Sequence, residues 1–284
     1  MAVPARVAVF CAVLCAAPVA SAQARPPVSA DPATAGPLPY LFLSGAVAEG
    51  QSLAERIAPP AGAARPPLSR RSFGGWLRHL PLLPAGSPVR LFDGRLKARQ
   101  DVHAAVADLD VPRRDLQQCA DAIMRLRAEY LLASGRPEAI AFHPDIGKPR
   151  ALTYHGASRA DFMRYLIRVF AEAGSASLQA ELPRASGPVQ PGDVLIQGGH
   201  PGHAVLVLDV SEAQVGATRR RYLLIGQSFM PAQQFHVVRN LGDVALSPWF
   251  DEAALDSSRG LATPEWLPFF RRDVRRFIDD APSR

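Results

Sequence analysis

Gly192-Asp-Val-Leu-Ile-Gln-Gly-Gly-His-Pro-Gly-His-Ala-Val-Leu-Val-Leu-Asp-Val210, then a polar turn, then Tyr222-Leu-Leu-Ile-Gly-Gln-Ser-Phe-Met-Pro-Ala-Gln-Gln-Phe235 is the stretch that decides the fold. Three apolar runs, Val194–Ile196, Ala204–Val210 and Tyr222–Ile225, are separated by turn residues, the pattern of an antiparallel meander. The second and third runs are almost unbroken Val, Leu and Ile, so both faces of those strands are expected to be covered. A polar residue closes or opens each run: Gln197, His203 and Gln227. Buried polar groups need partners, which makes these three the first candidates for chemistry. The loop Gly198-Gly199-His200-Pro201-Gly202 lets the chain bend sharply just ahead of His203.

Upstream, Val89–Leu96 reads as a hairpin with a type I′ turn at Asp93-Gly94, and Gln100–Val111 as a strand carrying His103. Pro112 suits the first turn of a helix. The spacing predicts that helix over Arg113–Ser134, with Leu116, Cys119, Ile123, Leu126 and Tyr130 on a buried stripe. Asp121, Arg125 and Glu129 then form i,i+4 pairs on its wet side. Ile140–Tyr154 reads as loop, Ser158–Ala173 as a second amphipathic helix extended by Ser177–Leu182, and Asp273–Phe277 as a last short helix. Trp76 reads as a core residue. The order of strands, two helices and a meander predicts an α+β fold, an antiparallel sheet with helices packed on one side.

The chain has 284 residues, nearly half of them hydrophobic, and so can bury a core. Met1–Ala24 has one charge at Arg6, an apolar run Val7–Val19 and small residues at Ala20-Ser21-Ala22 and Ala22-Gln23-Ala24. That is the layout of a secretory signal cleaved after Ala22 or Ala24, and the run is short for a membrane span. Residues 25–39 are rich in Pro and Ala and read as a disordered lead-in. Residues 40–284 form one domain. The expected location is therefore periplasmic or secreted, with no integral membrane segment after cleavage. Cleavage removes Cys11 and Cys15 and leaves Cys119 alone, so no internal disulfide is expected. The net charge is +6, nearly all the positive charge is Arg, and Lys97 and Lys148 are the only lysines. No basic run is interleaved with aromatics, which argues against nucleic acid.

A nucleophilic cysteine needs a base for its proton and a third group to orient that base. Cys119 on a helix, His203 opening a strand and Gln227 closing the next strand stand in that chain order. Gln118-Cys119, Gly192-Asp193-Val194 and Gly202-His203-Ala204-Val205 resemble the motifs of CHAP- and NlpC-type cell-wall amidases. That resemblance spans about residues 113–230. It implies a papain-like, NlpC-like core and hydrolysis of amide bonds in peptidoglycan peptides. It makes Cys119 the nucleophile, His203 the base and Gln227 the orienter, with Gln118, Gln197 and Gly202 at the substrate. It expects the Cys119 sulfur within about 4 Å of a His203 ring nitrogen, the reach of a resting pair. Two departures stand out: Gln227 carries no charge where the family has His, Glu, Asn or Asp, and Cys119 lies two turns inside the predicted helix.

A more specific resemblance covers about Tyr40–Trp266. Asp115-Leu116-Gln117-Gln118-Cys119-Ala120-Asp121-Ala122, Pro201-Gly202-His203-Ala204-Val205 and Gln227-Ser228-Phe229-Met230-Pro231 are similar to an uncharacterised bacterial exported family, domain of unknown function family 4846. It implies export and names no activity; Ile140–Tyr154 is shorter here than that family's pattern. The other readings remain open. Cys119 also fits a small buried hydrophobe, and the chain a non-catalytic protein that binds peptidoglycan or another envelope polymer. His200 and His203 lack a third ligand at metal spacing, so no metal and no cofactor are expected. Met230 replaces the last Gly of a Gly-x-Ser-x-Gly elbow, which weighs against Ser228.

Overall fold

A computed structural model of the chain describes residues 1–2, 36–45, 47–48, 50–144 and 150–278. Residues 1–36 and 37–284 are separate compact units, and every element below belongs to the second. Residues 3–24 of the expected signal segment and most of the lead-in lie outside the described residues.

The second unit is an α+β structure. Nine strands are described: β1 His103–Val106, β2 Ala141–Phe142, β3 Leu152–Thr153, β4 Val194–Gln197, β5 His203–Val215, β6 Thr218–Gln227, β7 His236–Val238, β8 Trp249–Asp251 and β9 Val274–Arg275. Seven form one sheet in the order β1-β7-β6-β5-β4-β9, with β8 paired on β6. All its pairings are antiparallel. Five α-helices accompany it: α1 Leu53–Arg56, α2 Phe73–Arg78, α3 Cys119–Ala133, α4 Arg159–Glu172 and α5 Ser175–Glu181. No described helix is long and apolar enough to cross a membrane.

The meander forms where the apolar runs predict it, because alternate side chains feed two cores. Ala204, Leu206 and Leu208 of β5 join the cluster that holds the apolar residues of the α-helices. Val205 and Val207 join a second cluster, built with Val189, Phe250, Leu261, Phe269 and Val274. The helices thus cover one face, as expected, and irregular C-terminal chain covers the other. Gly216, at φ +60°, turns β5 into β6.

Several local expectations are corrected. The long helix starts at Cys119, not Arg113: the Gln118 backbone N–H donates to Asp121 Oδ2 at 3.0 Å, which caps it there. Residues 112–118 instead make short backbone turns. Its Arg125–Glu129 pair, 3.5 Å apart, is buried rather than wet, because every residue of α3 from Cys119 to Leu131 is buried. Glu129 also takes a two-pronged bond from Arg159, at 2.7 and 2.6 Å. The hairpin near Arg90 and Leu96 is present, but only Gly94 has positive φ, +88°. A type I′ turn needs two such residues, so the turn is a longer one. Asp273–Phe277 is not a helix; Val274–Arg275 extends along β4 as an edge strand. The segment Ile140–Tyr154 contains a two-residue antiparallel pair, Ala141–Phe142 with Leu152–Thr153.

One buried charge cluster ties the N-terminal segment to the sheet. Asp209, fully buried on β5, accepts from Arg65 and from Arg78 Nε, the latter at 2.7 Å.

Candidate functional site

The start of α3 and the start of β5 meet at one place. Cys119 is the first residue of α3, where backbone N–H groups have no helical partner. Its Sγ lies 4.0 Å from the carbonyl oxygen of Gly202, and the backbone N–H of Ala204 also faces it. The thiol is therefore bracketed by the peptide groups on either side of His203. It borders a cleft of about 270 Å³ lined by Gln118, Asp115, Ser175, His200, Gly202 and Met230, among others. Only 5 % of Cys119 is exposed. Burial pushes its thiol up to about 11, with the Asp121 charge acting in the same direction and the Ala204 N–H against it.

His203 opens β5 directly opposite Gln197 of β4. Its ring is fully buried, with Phe229 and Trp266 each at 5.0 Å and Phe269 at 6.3 Å between centroids. Nε2 donates to Gln227 Oε1 at 3.1 Å, while the buried Nδ1 has no partner among the described residues. Burial pushes the imidazole down to about 4, opposed by the Gln227 bond. Phe269 and Trp266 belong to the core on the sheet face away from α3. The ring and the thiol thus reach the start of β5 from different layers, and no hydrogen bond joins them among the described residues.

Gln227, the last residue of β6, is not isolated. Its Nε2 lies 3.4 Å from Glu265 Oε2 and 3.4 Å from His236 Nε2. Glu265 in turn binds the buried Lys97 through Oε1 at 2.6 Å. Glu265 holds φ +74°, in the left-handed region that non-glycine residues enter at a cost. The uncharged Gln227 therefore has a carboxylate one bond behind it.

The other candidates fall as follows. Gln118 lines the cleft beside Cys119 and donates to Asp115 Oδ1 at 3.1 Å. Gly202 presents its carbonyl to the thiol, and a Cβ there would sit 2.1 Å from Ser175 Oγ. Gln197 is turned elsewhere: it donates to Pro268 O and Asp273 Oδ2 at 2.9 and 3.1 Å and accepts from Trp266 Nε1 at 3.0 Å. Its bond holds Trp266 on the His203 ring. Ser228 donates to Gln117 O or Gln233 O, at 3.3 and 2.9 Å, and is a tether. Glu265, Lys97, Phe229 and Trp266 are site residues that sequence reasoning missed. Lys97 alone left a signal, as one of two lysines in an arginine-rich chain.

Fold and site together define an α+β protein with a thiol at the first position of a helix beside a His–Gln–Glu chain whose His and Gln lie on adjacent strands. The chain belongs to the family described as Domain of unknown function (4846), whose sequence model matches residues 53–155 and 145–276. No curated protein and no solved structure matches it.

Proposed function

We propose that this is an exported cysteine hydrolase with a papain-like arrangement, acting on amide bonds of cell-wall peptides. One observation carries the reading: the unpartnered Nδ1 of His203, buried at the residue whose flanking peptide groups contact the Cys119 thiol. Because Gln227 Oε1 can only accept, Nε2 carries the ring proton and Nδ1 keeps its lone pair. The reading requires the thiol and the ring, held in different layers at rest, to come together at the start of β5, where Nδ1 takes the thiol proton. The thiolate sulfur then attacks the amide carbon, and the carbonyl π pair moves onto oxygen. The Cys119 backbone N–H, with Gln118 beside it, steadies that oxyanion. The C–N bond breaks as the amine takes the Nδ1 proton, and water, deprotonated by the same nitrogen, releases the acid. At rest both partners are neutral, since burial disfavours thiolate and imidazolium alike. The periplasmic or secreted location rests on the signal-like layout of residues 1–24, and the peptidoglycan substrate on the sequence resemblance.

The second reading is a non-catalytic envelope-binding protein on the same scaffold. The missing Cys119–His203 bond and the thiol's high pKa favour it. Alkylation of the folded chain by iodoacetamide near pH 7 separates the two, because only an activated thiol labels quickly there. A wild-type rate at least tenfold above that of His203→Asn supports the hydrolase. Equal rates remove it, and retention on purified cell walls then tests the binding protein.

A further inference from the structure

The hydrogen-bond inventory behind His203 fixes where its proton sits, and two residues outside the expected constellation fix that inventory. His236 Nδ1 is 3.0 Å from the carbonyl oxygen of Gln234. A carbonyl only accepts, so His236 carries its proton on Nδ1 and offers a lone pair at Nε2. Glu265 Oε2, its partner oxygen held by Lys97 Nζ at 2.6 Å, is a second acceptor. Both acceptors face the same end of Gln227, at 3.4 Å each. The amide NH2 of Gln227 must therefore point at them, since its oxygen there would meet two lone pairs and leave buried donors unmatched. Its oxygen is left facing His203, which must answer with Nε2–H.

We propose that Glu265 and His236 are positioning residues that lock the Gln227 amide and thereby hold His203 in the tautomer with a free Nδ1. The value of that tautomer rests on the hydrolase reading; its existence does not. All five groups are held tightly. His203, Gln227 and His236 are fully buried, Lys97 is 7 % exposed, and Glu265 keeps its place against an unfavourable backbone angle. A carboxylate accepts at both oxygens, which is why Glu265 can bind Lys97 and Gln227 at once.

The inference makes a prediction opposite to intuition for Glu265→Gln. Lys97 only donates, so it claims the new amide oxygen, and the new NH2 faces Gln227. With His236→Phe added, which removes the other acceptor, Gln227 turns its oxygen towards residue 265, presents NH2 to His203, and the His203 proton moves to Nδ1. Long-range proton–nitrogen NMR of histidine-labelled protein at pH 7 reads the tautomer directly. Wild type is expected to show Nε2–H at His203 and Nδ1–H at His236, and the folded E265Q/H236F double variant to show Nδ1–H at His203. Lys97→Met leaves both acceptors in place and is expected to keep the wild-type pattern. Wild type with Nδ1–H at His203, or the folded double variant still with Nε2–H, overturns the proposal. Should the double variant fail to fold, the wild-type tautomers decide alone, and Nε2–H at His236 overturns the proposal as Nδ1–H at His203 does. The readout ignores turnover, so an inactive protein with the expected tautomers removes the hydrolase reading and leaves this one standing. If the chain is a hydrolase, E265Q/H236F is expected to lose about a hundredfold in turnover, the worth of a general base.

Discussion

Acid should unfold this protein through its buried imidazoles, and the size of the effect follows from their burial. His203 moves from the ordinary 6.5 down to about 4 and His236 to about 3. Both folded-state values are lowered, so between 6.5 and 4 the unfolded chain binds protons that the folded chain refuses. Stability is therefore full above about 6.5 and falls as the pH drops through that window. One proton taken up on unfolding gives a slope of about 1.4 kcal/mol per pH unit. His203 alone then accounts for about 3 kcal/mol by pH 4, and His236 for at least as much. A domain holds only about 5–15 kcal/mol in total, so the loss reaches the scale of the whole fold. His79 and His103, also lowered by burial, act in the same direction. The assay is urea unfolding by circular dichroism at half-unit steps from pH 7.5 to 4.5, on wild type and on His203→Asn. The variant should show a slope shallower by about 1.4 kcal/mol per pH unit. Parallel slopes for the two proteins would refute the burial argument for His203.

Three further outcomes are expected. Asp209→Ala strands the Arg65 and Arg78 guanidinium groups beside the sheet; it should lower stability by about 3–5 kcal/mol in denaturant melts, and a loss under 1 would contradict the cluster's role. Gly202→Ala puts a Cβ 2.1 Å from Ser175 Oγ and 2.6 Å from Gly199 N; it should lower stability by about 1–3 kcal/mol, only partly recovered by adding Ser175→Gly, because the Gly199 backbone still crowds it. Cys119, raised from 9.0 to about 11, ionises first in the unfolded chain, so between pH 9 and 11 wild type should lose about 2–3 kcal/mol more than Cys119→Ala in urea melts, both sharing the loss from the partly buried Tyr40 and Tyr165.

The sheet was readable where the chemistry is local. Near-continuous Val, Leu and Ile at 204–210 and 222–225 left the middle strands no other home than between two cores. The start of α3 was not readable, because residues 113–118 look helical in composition and only the Gln118–Asp121 cap shows where the helix begins. That boundary matters: it moves Cys119 from the helix interior to its first position, where unpaired N–H groups gather. Val274–Arg275 escaped because a two-residue edge strand has no period to detect. The chain behind Gln227 escaped for a different reason. Glu265 lies 38 residues further on and Lys97 lies 168 residues before Glu265, and no spacing rule joins positions so far apart. Gln197 was correctly placed at a strand end, yet its amide serves Trp266 and the Pro268 and Asp273 segment rather than the cleft.

The most direct test of the hydrolase account is mass spectrometry of purified cell-wall peptides incubated with the protein lacking residues 1–24. The account predicts new fragments that differ by one water across an amide bond, and none with Cys119→Ala or His203→Asn. Fragments that persist in Cys119→Ala, or peptides left whole by a folded wild-type protein, would contradict it.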